Sequence, residues 1–174
     1  MPTVMFTKRL WLVAGGRGEL RPRDVRASDP GRLRTWAANW IETTAGDFVV
    51  GIEETTYLTV VCPLLPFPEF YRAFAASFAT QLEGLGVPHE VVDAEVGAFI
   101  GHARPAKNDN RQLLGSLNDV AFNAFVRFER KHRVDLRFIQ RVQGELNEMP
   151  HVKRQPAFPN EATKLFFATA GSAQ

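Results

Sequence analysis

Between Thr35 and Pro63 the chain carries three short runs of alternating residues, joined by turns too short to hold anything else. In "TWAANWIET", Trp36, Ala38 and Trp40 alternate with Ala37, Asn39 and Ile41. "AGD" at 45–47 has turn chemistry, and "FVVGIEE" follows. In "TTYLTVVCP", Tyr57, Thr59 and Val61 alternate with Leu58, Val60 and Cys62. A period of two is the signature of a strand, and short turns join antiparallel neighbours. This stretch therefore commits the chain to a sheet organised around an antiparallel meander. Pro63 and Pro66 end the last run, because proline cannot donate to a ladder.

The flanking segments supply helices. "PEFYRAFAASFATQLEGLGV" places Tyr71, Phe74, Phe78, Leu82 and Leu85 on one apolar stripe, and Gly86 and Pro88 stop it. A second helix runs from about Asn110 to His132, with Leu114, Leu117, Ala121, Phe125 and Phe128 as its stripe. A third has Asp135 as N-cap, Val134 and Ile139 as a hydrophobic staple, and Pro150 as its end. "NEATKLFFATA" makes a last one. At the start, "TVMF" (Thr3–Phe6) reads as a strand. "TKRLWLVA" reads as one or two helical turns capped by Thr7. "HEVVDAEVGAFIGHA" reads as two short strands, near Glu90–Asp93 and Ala98–His102. The expected fold is α+β, with an antiparallel sheet of about four strands. The helices at 68–85, 110–132 and 135–148 are expected mostly on one of its faces. The chain has neither repeats nor linker composition, so residues 1–174 are expected to form a single globular domain. The Arg/Gly-rich segment 15–34 is long for a loop and is expected to be partly mobile.

Several chemistries are excluded. A lone cysteine rules out an intramolecular disulfide framework or a cysteine zinc site. Cys62 lies in an apolar run and reads as a small buried hydrophobe. Histidines 89, 102, 132 and 151 lack metal-ligand spacing. "GGRG" lacks the lysine and spacing of a phosphate loop, and no cofactor motif appears. The N-terminus does not read as a signal peptide and no apolar run reaches the ~18 residues of a membrane span, so the expected location is the cytoplasm, away from membranes.

Charge is unevenly distributed behind a formal net of +2. Residues 1–35 carry eight Lys/Arg against three acids, residues 36–98 carry one against nine, and residues 99–174 carry twelve against seven. This pattern gives either internal complementarity across a folded surface or a basic face for nucleic acid or an acidic partner.

The start of the second long helix, "NDNRQLLGSLNDV", is unusually polar for a segment that must pack. With Asn110 as N-cap, Arg111, Gly115, Asn118 and Phe122 fall on one strip, flanked by Ser116 and Asp119. Glycine inside a helix costs roughly 1 kcal/mol relative to alanine. Gly115 therefore implies a gap that admits a neighbouring backbone or a ligand. Asn118 and Asp119 stand ready to bond the visitor, and the free N–H groups after Asn108–Asn110 suit an anion. The architectural alternative is a buried amide bonding a neighbouring backbone, with Arg111 paired to an acid.

These residues resemble a family of uncharacterised bacterial proteins, a domain of unknown function. The resemblance rests on "TKRL" (Thr7–Leu10), "WAAN" (Trp36–Asn39), "NRQLLGSLND" (Asn110–Asp119) and "LNEMP" (Leu146–Pro150), in that order over most of the chain. The Arg-rich segment 15–34 departs from the pattern. The resemblance implies no activity, but it groups Asn39, Arg111, Asn118, Asp119 and Asn147 as one shared feature.

Catalytic constellations are sparse. No G-x-S-x-G is present, and Ser116 lies within a helix. Glu53 and Glu54 point to opposite faces of a strand. Arg111, Asp119 and His102 remain as the strongest enzymatic set. The leading expectation is a small cytoplasmic binding or interaction module without turnover. It would recognise a protein partner or a small anionic ligand through Asn39, Asn110, Arg111, Gly115, Asn118, Asp119 and Asn147. The rivals are an enzyme acting on a phosphate-containing or nucleic-acid substrate, and non-catalytic nucleic-acid binding through the arginines of 17–34 and 127–141.

Overall fold

A computed structural model describes residues 2–21, 31–151 and 155–171 of the chain. Its elements are β1 (Thr3–Phe6), α1 (Lys8–Val13), β2 (Thr35–Thr43), β3 (Gly46–Glu53), β4 (Thr59–Pro63) and α2 (Glu69–Gly84), then α3 (His89–His102), β5 (Arg104–Lys107), α4 (Arg111–Glu129), α5 (Leu136–Asn147) and α6 (Pro159–Gly171). The meander of β2, β3 and β4 is antiparallel, and its register places Trp36 opposite Glu53 and Ile52 opposite Thr59.

The sheet is larger and mixed. Its order is β4-β3-β2-β1-β5, and β1 runs parallel to both β2 and β5. The expected four antiparallel strands are thus five strands of both kinds. Helices pack on both faces, not mostly on one. Against one face, Val4, Phe6, Trp36, Val49 and Val60 meet Leu10 of α1, Phe70, Phe74 and Phe78 of α2, Phe99 of α3 and Phe167 of α6. Against the other, Met5, Ala37, Val50, Ile52 and Val61 meet Leu113, Leu117, Ala121 and Phe128 of α4 and Ile139, Val142 and Leu146 of α5. Strands covered on both sides lose the polar-out alternation of a half-exposed sheet. All four residues of β1 are buried. At Gly51 a Cβ would lie 2.5 Å from the Phe74 ring, so only glycine lets α2 approach that closely.

Residues 89–102 are one helix, not two strands. Its buried positions, Val92, Glu95, Ala98 and Phe99, have helical spacing, but one of them is a glutamate. Glu95 accepts from the Arg32 N–H at 2.8 and 2.9 Å and from the Leu33 N–H at 3.1 Å. A carboxylate that ties down a loop stands where the stripe calls for an apolar residue. The remaining strand, β5, is the polar "RPAK". It tolerates Pro105 because it lies at the sheet's edge. Of the segment expected to be mobile, residues 22–30 lie outside the described residues. Arg21 accepts the Lys107 N–H at 2.7 Å, so the chain before them runs beside β5.

Candidate functional site at the carboxyl ends of two parallel strands

Strands β1 and β5 are adjacent and parallel, yet the chain leaves them toward opposite faces. After Phe6 it enters α1, whose Leu10 packs on one side of the sheet. After Lys107 it leads to α4, whose Leu113 and Leu117 pack on the other. Such a divergence opens a crevice beyond the carboxyl ends of the strands, the customary place for a ligand in open α/β sheets. A cavity of about 470 Å³ lies there, lined by Phe6, Thr7, Lys8, Trp11, Leu12, Gly18, Glu19, Leu20, Lys107, Asn108 and Leu114. Its walls are mostly apolar. Lys8, Lys107 and Glu19 are exposed, so their charges stand at the mouth. Thr7 is fixed by its cap bond from the Leu10 N–H at 3.3 Å, and its hydroxyl donates to Asn39 Oδ1 at 3.1 Å. Trp11 is held by its Nε1–H on the Gly18 carbonyl at 3.1 Å.

Asn39 extends this network to α4, donating from Nδ2 to Asn118 Oδ1 at 3.4 Å. Three sequence segments, Thr7–Leu10, Trp36–Asn39 and Asn110–Asp119, thus meet beside the crevice. Asn110 is the N-cap of α4, accepting the Leu113 N–H at 3.0 Å, and its Nδ2 donates to Glu54 at 2.8 Å. Arg111, Gly115 and Asp119 face a different cavity of about 500 Å³, together with Tyr57, Ser116 and His151. Among the described residues Arg111 makes no ion pair, with Asp119 or any other acid. His102 lines a third cavity with Gly31, Arg32 and Glu95, so the set Arg111, Asp119 and His102 does not assemble.

Gly115 needs another explanation than a close neighbour. It is exposed, and a Cβ built there would have nothing within 4 Å. Gly115→Ala is therefore expected to raise stability by up to ~1 kcal/mol through helix propensity alone. Thermal and urea melts of the variant test this, and a loss of stability would show an unrecognised contact at that position.

Asn147 is at the opposite edge of the sheet, away from the other grouped residues. It lies on α5 beside β4, where the outward backbone groups of Thr59 and Val61 have no strand to pair with among the described residues. Asn147 accepts the Thr59 N–H at 2.8 Å and donates to the Thr59 carbonyl at 2.8 Å. Gln143 accepts the Val61 N–H at 2.8 Å, and the Ser77 hydroxyl lies between the Val61 carbonyl, at 2.7 Å, and Gln143 Oε1. Two side-chain amides and a hydroxyl finish the ladder in place of a sixth strand. Nothing in the strand-by-strand pattern flagged Gln143 or Ser77.

Two buried titratable groups lie apart from the crevice. Burial pushes the Cys62 thiol up to about 12, which keeps it protonated and inert. Glu53 is 1% exposed and caps the turn after β3, accepting from Thr55 N–H at 2.8 Å, Thr56 N–H at 2.7 Å and the Thr56 hydroxyl at 3.1 Å. Burial outweighs those bonds and raises its carboxyl to about 7. Among the described residues, no group of three His, Cys, Asp or Glu is placed to hold a metal ion, and no helix is long and apolar enough to cross a membrane.

Fold and site together define a mixed α/β chain whose helices sandwich a five-stranded open sheet, with a crevice at the divergence of two parallel strands. The chain belongs to the family described as a domain of unknown function, DUF6933, whose profile matches residues 6–162. No curated protein and no solved structure matches the chain. Of the crevice residues, Lys8, Trp11 and Lys107 were not singled out from sequence, and Asn108 entered only through the free N–H groups that follow it. Recognising β5 as parallel to β1 would have pointed to them.

Proposed function

We propose that this chain is a binding module without turnover, and that its ligand is a small anion with an apolar part, held in the crevice beyond β1 and β5. The position of the cavity carries this reading: it occupies the point where two parallel strands send their connections to opposite faces. The lining supports it. Phe6, Trp11, Leu20 and Leu114 offer apolar surface, and Lys8 and Lys107 offer cationic donors at the mouth. Thr7, Lys8, Lys107 and Asn108 are groups that hold and orient, and none of them forms a nucleophile–base pair.

Anilinonaphthalene sulfonate, an apolar anion, is a suitable probe. It is expected to bind with enhanced fluorescence. Lys107→Glu and Lys8→Glu are each expected to weaken binding about tenfold at low salt, about 1.4 kcal/mol. The gap should narrow as salt screens the exposed charges. Lys131→Glu, beyond the far end of α4, serves as the control. Equal affinity in all three variants would rule out the crevice as the anion site.

A further inference from the structure

Within the crevice, Asn108 is in an unusual state. Its side-chain oxygen and nitrogen are both shut off from solvent, and neither has a hydrogen-bond partner among the described residues. Buried amides are nearly always satisfied, and an unmade bond is expensive. An asparagine amide presents an acceptor beside a donor in one plane. A partner that meets both must carry a donor and an acceptor on one edge. One residue of an extended peptide can meet both, as Thr59 does with Asn147, but an uncharged peptide strand brings no anionic group for Lys8 and Lys107. A carboxylate at neutral pH offers acceptors alone. Nucleobase edges carry the complementary pair side by side, and asparagine reads adenine in this way in DNA recognition. The surroundings suit the rest of such a molecule. Phe6, Leu20 and Leu114 give apolar walls for a flat base, and Lys8 and Lys107 line the same cavity with exposed side chains that can meet a phosphate.

We infer that the crevice takes a nucleoside monophosphate, its base edge on the Asn108 amide and its phosphate between Lys8 and Lys107. The inference rests on the ligand-binding reading of the crevice and names the ligand class. Because both amide atoms are screened, base entry requires the side chains around Asn108 to shift.

The test is titration of the full chain with the monophosphates of adenosine, guanosine, cytidine and uridine, and with ribose 5-phosphate, each competing against anilinonaphthalene sulfonate. At least one nucleotide is expected to displace the dye at a concentration at least tenfold lower than ribose 5-phosphate. Asn108→Leu is expected to remove that advantage while leaving ribose 5-phosphate unchanged. Asn108→Asp, which replaces the amide donor with an acceptor, is expected to remove the advantage as well, while its added charge weakens nucleotide and ribose 5-phosphate alike. Should neither variant fold, the preference of the wild-type chain for nucleotide over ribose 5-phosphate decides the question. If the dye binds through Lys107 but no nucleotide outcompetes ribose 5-phosphate, the nucleobase inference is wrong and the ligand-binding reading survives. A nucleotide advantage that persists in both Asn108 variants also overturns it. If the dye does not bind in the crevice, both fall together.

Discussion

Asn147→Ala is expected to lower the unfolding free energy by roughly 2–6 kcal/mol, because it strands both the N–H and the carbonyl of Thr59 at ~1–3 kcal/mol each. Both groups lie on the outer edge of β4, and Asn147 is the side chain that satisfies them, at 2.8 Å in each direction. The residue is fully buried, so the lost bonds have no ready replacement from solvent. Urea denaturation followed by tryptophan fluorescence measures the loss. Asn147→Asp separates this account from simple loss of packing. It keeps the volume and the acceptor for the Thr59 N–H, but it removes the donor and introduces an ionisable group. It should therefore also be destabilised, and more so as pH rises above the carboxylate range. A change below ~0.5 kcal/mol in Asn147→Ala would show that the amide is dispensable to the edge.

This role could not be read from the sequence, and the reason is physical. Asn147 stands at a buried position of α5, in line with Ile139, Val142, Gln143 and Leu146. Periodicity identifies that face but says nothing about which sheet edge it covers. The grouping of Asn147 with Asn39, Arg111 and Asn118 rested on family resemblance, and topology separates them. Local chemistry, in contrast, was legible. Thr7, Asn110 and Asp135 cap α1, α4 and α5 as their side chains require, each accepting the N–H three residues on. The meander followed from alternation and turn residues. Recognition failed at α3, where Glu95 interrupts the apolar stripe, and that error removed the crossover from β4 to β5. Without β5 beside β1 that parallel pair is missing, so the crevice between β1 and β5 was invisible. Gly115 drew notice for a sound reason, its low helix propensity. The pressure of a neighbour is not what it answers to, since the space beside it is open.

Glu53→Gln should give the second large effect, and its sign depends on pH. In the unfolded chain the carboxyl titrates near its ordinary value of 4.5, whereas in the fold burial raises it to about 7. Below pH 4.5 both states hold the proton and the group makes no pH-dependent difference. Between 4.5 and 7 the folded state binds the proton that the unfolded state has lost, so stability falls as pH rises. Above 7 the full cost of a buried carboxylate is present, about 3 kcal/mol for a gap of this size. Glutamine stays neutral throughout, and its amide oxygen still accepts from the Thr55 and Thr56 N–H groups. The stability of Glu53→Gln relative to the natural chain should therefore climb by about 3 kcal/mol from pH 4.5 to pH 8 and then level off. Parallel urea melts across that range measure the difference directly. A constant difference would mean that the Thr55 and Thr56 donors hold the carboxylate ionised in the fold, and that the turn is built to bury a charge.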